Sequence, residues 1–404
     1  DHARNAYPAW VNHFRREKLP ETIRLSSRDA AAGAGSAGVV KEVVPLGEGL
    51  NDVIITYPID FDADVIPQDV ALFFDASYAE KPPFVNLVWL TPDGRELDLG
   101  TVPVRSTTTY YFNEDEALER WLADVRPSRA LFLSQDDLLS PNPEAARAQP
   151  GAYALRVEGV TFEEGATLDA KLVVYGLVEG WAGTDIRRRD IGLALLWGAP
   201  VALSFGIIAA GITSIGGMLI AAAGAWVGGW LDRTVQALTE VNLVLPFLPV
   251  SIMVYTVYSK SFWALLGVTV ALSIFGASVK TYRAAFLQFK NEPYIEAARA
   301  YGAGNLRIVV RYLVPRIIAV LAPRMVILIP AYVFLEATLA VLGFSDPVLP
   351  TWGKLIAAGL DYGLYQDAWH LALLPLALLL LTSLAFALVG MTLERVFEPR
   401  LRDV

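Results

Sequence analysis

Few residues in this 404-residue chain are placed to do covalent chemistry. There is no cysteine, and the three histidines, His2, His13 and His370, are scattered. Thiolate nucleophiles, disulfides and Cys/His metal sites are therefore excluded. The phosphate-cradling pattern GxxxxGK[ST] does not occur, so the chain cannot hydrolyse ATP in that manner. HExxH, GxSxG and CxxC are also absent from the sequence. The carboxylate pairs Glu163-Glu164 and Asp136-Asp137 fall in polar, turn-like stretches and read as solvated. The ionisable residues that stand out are those inside apolar runs: Glu240, with Asn242 one turn before Pro246, and then Arg324 and Glu336. Such groups are costly in a bilayer and either line a solute path or hydrogen-bond between helices. Both alternatives stay open for Glu240, Asn242 and Glu336, while Arg324 reads as snorkelling to the nearer surface.

A second group of residues suggests mechanical work. Glu296-Ala297-Ala298-Arg299-Ala300-Tyr301-Gly302 is a short, charged, Ala-rich piece with a glycine stop, and Pro315 stands thirteen residues after Gly302. Residues Tyr294 to Tyr301 predict two helical turns, which Gly302 ends by accepting left-handed backbone. Leu306, Val309, Val310 and Leu313 recur at three- and four-residue spacing and predict one apolar face. Pro315 predicts a separation from the apolar run that follows. An organised amphipathic loop between two long apolar runs reads as a docking surface for a protein outside the membrane. The plainer reading is a solvated connector.

The elements that must hold these residues are membrane spans. Five stretches approach or exceed the roughly 20 residues that a bilayer crossing needs: about 191–231, 234–258, 261–287, 317–344 and 368–393. The chain is 54% hydrophobic with a net charge of −9, yet residues 1–190 hold 19 Lys+Arg against 31 Asp+Glu and residues 191–404 hold 14 against 11. An acidic half with no basic stripe argues against nucleic acid as a partner. From Lys280 to Arg316 there are seven basic residues and two acidic ones. The positive-inside rule then predicts a cytoplasmic loop over 288–316, a cytoplasmic C-terminus and an acidic N-terminal half outside. Arg187-Arg188-Arg189 opposes that orientation and is partly neutralised by Asp185 and Asp190. Between the last two spans, Pro347, Pro350 and Gly353 predict an outer segment broken by helix-unfriendly residues, with a short re-entrant or interfacial helix over Leu355–Leu360.

Residues 1–38 read as a segment following a helix, and a linker, residues 30–38 being an Ala/Gly/Ser run of flexible composition. Residues 39–182 carry short alternating runs, Val53–Tyr57, Ala71–Phe74, Val85–Leu90, Thr109–Phe112, Tyr153–Val157 and Lys171–Tyr175, with Pro92-Asp93-Gly94 as turn chemistry. With one helical patch near Glu116–Val125, they predict an antiparallel β-sandwich. Its aromatic residues could stack on sugars or fill a core. Docking of a solute-binding protein is the preferred role for this domain, and a purely structural one the competitor.

The ordered motifs resemble those of one family. Glu296-Ala297-Ala298, three residues, Gly302, then Pro315 resembles the EAA loop of ABC importer permeases. Gly183-Thr184-Asp185 with Arg189-Asp190 resembles the GTDxxGRD signature of C-type permeases in dipeptide, oligopeptide and nickel importers, although Arg188 stands at the family's Gly. Gly228-Gly229-Trp230-Leu231-Asp232 resembles the GGWxD turn, and Leu342-Gly343-Phe344 with Pro347, Pro350 and Trp352-Gly353 the LGxG…PxPxWG segment. Glu398-Pro399-Arg400-Leu401 resembles the DPRL ending, and Pro8-Ala9-Trp10 is a weak echo of a segment that the family places after its first helix. The resemblance covers about residues 180–404 and says little about 11–179.

It implies a type I permease fold, an all-α polytopic domain over 183–404, behind an extracytoplasmic β-rich domain and with a further span preceding residue 1. It also implies a role as half of the translocation pathway in a prokaryotic cell membrane. The partners would be a homologous B-type permease, two ABC ATPase subunits and an external solute-binding protein. ATP and Mg would be bound by the ATPases, with no cofactor in this chain. Glu296, Ala297, Ala298, Gly302 and Pro315 would dock the ATPase, and the acidic positions at Glu240 and Glu336 also match the family. Peptides, nickel and oligosaccharides are the solutes of this branch. The competing class is a membrane-anchored receptor or assembly platform acting through its β-domain.

Overall fold

The computed structural model describes residues 2–31, 38–47, 49–122, 124–140, 142–366 and 368–397. Most of the Ala/Gly/Ser run (32–37) and the ending Glu398-Pro399-Arg400-Leu401 lie outside the described residues. The chain divides into two units, Asp1–Gly192 and Leu193–Val404.

The first unit is built on two antiparallel sheets. One has the order β1-β9-β4-β7, from β1 (Ile23–Ser26), β9 (Thr167–Tyr175), β4 (Asp69–Ser77) and β7 (Thr107–Tyr111). The other has the order β2-β3-β8-β5-β6, from β2 (Val40–Gly47), β3 (Leu50–Phe61), β8 (Gly151–Thr161), β5 (Phe84–Leu90) and β6 (Glu96–Pro103). Period-two alternation turns Val53, Ile55, Tyr57, Ile59 and Phe61 of β3 and Tyr153, Leu155 and Val157 of β8 into the core. Trp89 is fully buried there, its indole N–H donating to the Leu131 carbonyl at 3.1 Å, so the largest side chain leaves no polar atom unsatisfied. The helical patch is the short helix Glu116–Trp121, capped by Asp115, whose carboxylate accepts from the Ala117 and Leu118 amides.

The N-terminal segment belongs to this folded unit and is not a separate 1–38 linker. β1 pairs with β9 over Ile23–Ser26, and the Tyr7 amide donates to the Leu177 carbonyl at 2.8 Å. Glu179, almost fully buried, gathers the Ala3 amide at 2.8 Å, the Thr22 hydroxyl at 3.0 Å and the side chains of His2 and Arg24. Burial alone would raise its pKa; those donors outweigh burial and hold it below the usual carboxylate range.

The second unit is helical. Its elements are α1 (Ile191–Val227), α2 (Gly229–Val244), α3 (Phe247–Val257), α4 (Phe262–Ser273), α5 (Ala277–Lys290), α6 (Pro293–Ala300), α7 (Asn305–Ile308), α8 (Val314–Val341), α9 (Trp352–Gln366) and α10 (His370–Phe397). Among the described residues, Ile191–Val227, Asn305–Val341 and His370–Phe397 are each long and apolar enough to cross a membrane. The expected spans 234–258 and 261–287 are each a bent pair, α2 with α3 at 84° and α4 with α5 at 46°. Pro246 breaks the first: it has no N–H to donate and leaves Leu245 extended at ψ 128°. The second breaks at Gly276, also extended. The first span ends at Val227 and not at 231, because Gly228 and Gly229 both take positive φ, +71° and +62°.

Candidate functional site

The signature at 183–190 is a knot of hydrogen bonds. Thr184, fully buried, donates from its hydroxyl to the Ala3 carbonyl at 2.7 Å and accepts the Ala6 amide at 2.9 Å. The Asp185 carboxylate accepts the Arg187 and Arg189 amides at 2.9 and 2.8 Å and the Arg189 side chain at 2.7–2.8 Å. Asp190 accepts the Gly192 amide at 2.7 Å, meeting one of the orphan donors at the start of α1. Gly183 takes φ +78°, and Arg188, at the position that reads Gly in the resembled signature, takes φ +59°.

The left-handed backbone at Arg188 is a strained choice for a residue with a Cβ, about 1–2 kcal/mol above its right-handed alternative. What favours arginine is its guanidinium, which stacks over the rings of Tyr175 at 4.6 Å and Tyr111 at 5.2 Å. Arg188→Gly is expected to exchange strain for stacking and stay within about 1 kcal/mol of the parent. Arg188→Leu keeps the strain and loses the rings, and should be the less stable by roughly 1–2 kcal/mol. Thermal unfolding of the purified protein gives the order; a leucine variant matching the parent would refute it.

The turn at 228–232 links the end of α1 to α5. Asp232 receives a two-pronged ion pair from Arg283, Nε at 2.7 Å and a terminal nitrogen at 2.6 Å. Gly224 fits beneath it, since a Cβ there would sit 3.3 Å from the Asp232 carboxylate. Lys290 closes the same end, donating to the Ala225 and Trp226 carbonyls at 2.8 and 3.0 Å. A lysine on the last carbonyls of a helix satisfies acceptors that have no partner within it. In the sequence Arg283 and Lys290 add only bulk charge, because their partners lie too far along the chain for spacing to show.

The Ala-rich piece forms α6, ended as expected by Gly302 at φ +80°. Its three alanines separate: Ala298 is buried with Ile295, while Ala297 and Ala300 face out with Glu296. Ile295, Ala298, Ile308 and Leu313 pack with Ala221, Ala225, Tyr282, Phe286 and Ile317 in one core. Arg299 stacks over Trp226 at 5.1 Å, and Arg316 over Tyr294 at 4.7 Å, so aromatic rings hold the segment at both ends.

Two expectations fail here. Leu306, Val309, Val310 and Leu313 do not share one face: Leu313 is buried and Val309 packs inward, whereas Leu306 is 78% and Val310 58% exposed. Leu306 lies opposite the buried Ile308 within α7, and a π-helical turn over Val309–Leu313 shifts the phase of the side chains that follow. The same turn carries the chain straight into α8 with Pro315 in its first turn, so Pro315 separates nothing.

Of the polar residues in apolar runs, Glu240 is exposed, 3.6 Å from Lys280. Asn242 donates to the Leu272 carbonyl at 2.7 Å, bridging α2 to the end of α4. Glu336 is 2% exposed and lies against Thr351 at the start of α9. The α8–α9 contact is close because Gly353 has no side chain: a Cβ there would stand 2.7 Å from the Ala337 Cα. Gly353 therefore sits inside a helix and does not break one, and α9 runs 15 residues where 355–360 was expected. Trp352 fixes the same corner by donating to the Leu195 carbonyl at 2.9 Å. In the loop before it, Asp346 accepts the amides of Phe262, Val348 and Leu349 at 2.9–3.1 Å. Burial would raise its pKa, and these three amides hold it low.

Known proteins share this arrangement of sequence. Residues 202–403 match the family described as the binding-protein-dependent transport system inner membrane component. The dipeptide transport system permease protein DppC of Bacillus subtilis is 29% identical over 225 residues, 55% of this chain and 69% of that protein. The oligopeptide transport system permease protein OppC of the same organism is 28% identical over 225 residues, 55% of this chain and 72% of its own. Among solved structures, an inward-facing form of the MetNI methionine ABC transporter overlays with a TM-score of 0.42 at 20% identity, covering 52% of this chain and 98% of the matched one. Half of the sequence thus lies within one family model, and this multi-pass membrane protein belongs to the family of inner membrane components of binding-protein-dependent transport systems.

Proposed function

We propose that the chain is a permease subunit of an ATP-driven peptide importer, forming half of the solute pathway with a homologous B-type permease. Two separate ATPase subunits bind ATP and Mg and move the pathway, and a solute-binding protein delivers the peptide. The α6–α7 segment faces the cytoplasm and docks an ATPase; the β-sandwich lies outside, where it meets the binding protein. The basic run Lys280–Arg316 supports this orientation, and the names of the relatives support peptide as the solute.

One observation carries the docking role. Beside the Gly302 turn stand Tyr301, 92% exposed, and Leu306, 78% exposed, on a segment whose opposite side is packed in the core. A held, apolar, outward surface is what a partner protein buries. Leu306→Asp is expected to cut co-purification of the ATPase about tenfold or more, with peptide uptake falling alongside, since a central apolar anchor is worth on the order of 2 kcal/mol. Membrane insertion should be unchanged. Full ATPase capture with full uptake in that variant would remove the docking role.

A further inference from the structure

At the end of the bundle where α5 finishes, α8 begins and α10 finishes, the helical unit holds a cleft of about 650 Å³. Its charged lining is Arg316, Arg324 and Glu394, and its apolar lining includes Phe289, Ile327 and Phe397. Arg316 is held in place by stacking, 5.8 Å over Phe289 and 4.7 Å over Tyr294. Arg324 stands eight residues further along the same helix, roughly 12 Å deeper into the span. Among the described residues it has no hydrogen-bond or ion-pair partner, and Glu394 has none either. A guanidinium inside an apolar span is costly unless something neutralises it.

We propose that this cleft binds the phosphate of an anionic phospholipid between Arg316 and Arg324, with the upper acyl chain lying along Ile327. Guanidinium forks match phosphate oxygens in charge and geometry, and basic clefts between spans are sites where acidic headgroups settle. The wall around the two arginines is apolar, with Ala319, Val320, Ile327 and Leu328 of α8 beside Phe289 and Phe397, which suits a lipid tail and gives a free phosphate nothing to hold. Glu394 at the rim disfavours binding and sets how acidic the lipid must be. Because Arg316 also stacks on Tyr294 of α6, an occupied cleft braces the segment that carries the docking surface. The site depends on the chain spanning a membrane and not on which solute it carries.

The test uses the assembled transporter in nanodiscs of phosphatidylcholine doped with fluorescent phosphatidylglycerol or fluorescent phosphatidylcholine. Wild type should prefer the glycerol lipid; Arg316→Gln and Arg324→Gln should each weaken that preference about fivefold, and the double variant roughly twentyfold. Arg324→Lys keeps the charge but loses the fork, and should bind between wild type and Arg324→Gln, while Glu394→Gln should tighten binding. Equal binding of the two lipids, or no loss in the double variant, overturns the proposal. Displacement by millimolar inorganic phosphate would show a free-anion site, and binding only to the chain stripped of its partners would show that a subunit covers the cleft. Either result overturns it too.

Discussion

Gly302→Asp is expected to leave the protein in the membrane and to abolish productive coupling, with solute uptake per ATP hydrolysed falling tenfold or more. Gly302 takes φ +80°, and a Cβ added there meets nothing within 4 Å, so the substitution is not blocked by a clash. Its cost is the left-handed conformation, about 1–2 kcal/mol for a residue with a side chain, together with a new negative charge beside the exposed Tyr301. The local alternative is to unwind the turn between α6 and α7, which would swing Leu306 away from its present direction. A docking surface displaced by even a few ångströms no longer fits its partner. Gly302→Ala isolates the backbone part and should fall between wild type and aspartate. Purified transporters reconstituted with the ATPase, with uptake and ATP hydrolysis measured together, give the ratio; an unchanged ratio in the aspartate variant would sink the idea.

A second large effect is expected from Arg283→Ala. The Asp232–Arg283 pair is two-pronged, with side chains 18% and 30% exposed, and it joins the α1–α2 turn to α5. Removing one partner of a buried pair typically costs about 3–5 kcal/mol, because the other charge is left dry and unpaired. Partial exposure here trims that to roughly 2–3 kcal/mol. The loss falls on the packing that holds α6, since Trp226, which Arg299 stacks against, lies two residues before Gly228. Arg283→Ala and Asp232→Ala should both lower the thermal midpoint in detergent and the yield of folded protein. The exchange Asp232→Arg with Arg283→Asp should recover part of both. If the exchange is no better than the single variants, the pair acts through position and not through mutual charge.

The contrast between these two sites shows what the sequence makes legible. Gly302 could be read because glycine before a polar turn has one common structural use, and long uncharged runs could be read as spans because a bilayer imposes a length. The alternation of β3 and β8 was equally plain, since each buries every second residue. Asp232 and Arg283 were not legible as a pair, being 51 residues apart with two helix bends between them. β2 escaped because all its side chains but Lys41 are exposed, which leaves no alternation. β6 is interrupted by a register shift opposite Leu87 and carries Gly100 at φ +84°. The facing of Val310 and Leu313 was lost for a different reason: a π-turn breaks the 3.6-residue period on which such readings rest. Glu336 reads in sequence as either pathway or packing, and its 2% exposure against α9 was not legible there.

The unbroken run from Asn305 to Val341 has a mechanical consequence. At 1.5 Å per residue it is a rod of roughly 55 Å, with its near end bearing Leu306 and its far end turning at Gly343. A tilt of about 10° applied at the near end would carry the far end through roughly 10 Å by simple lever geometry. No loop intervenes to absorb the displacement. The places where the rod can yield are Pro323 and Pro330, each of which forgoes a backbone hydrogen bond. Under the docking proposed above, a push at Leu306 would reach the Gly343 end of the rod as rotation about two proline joints.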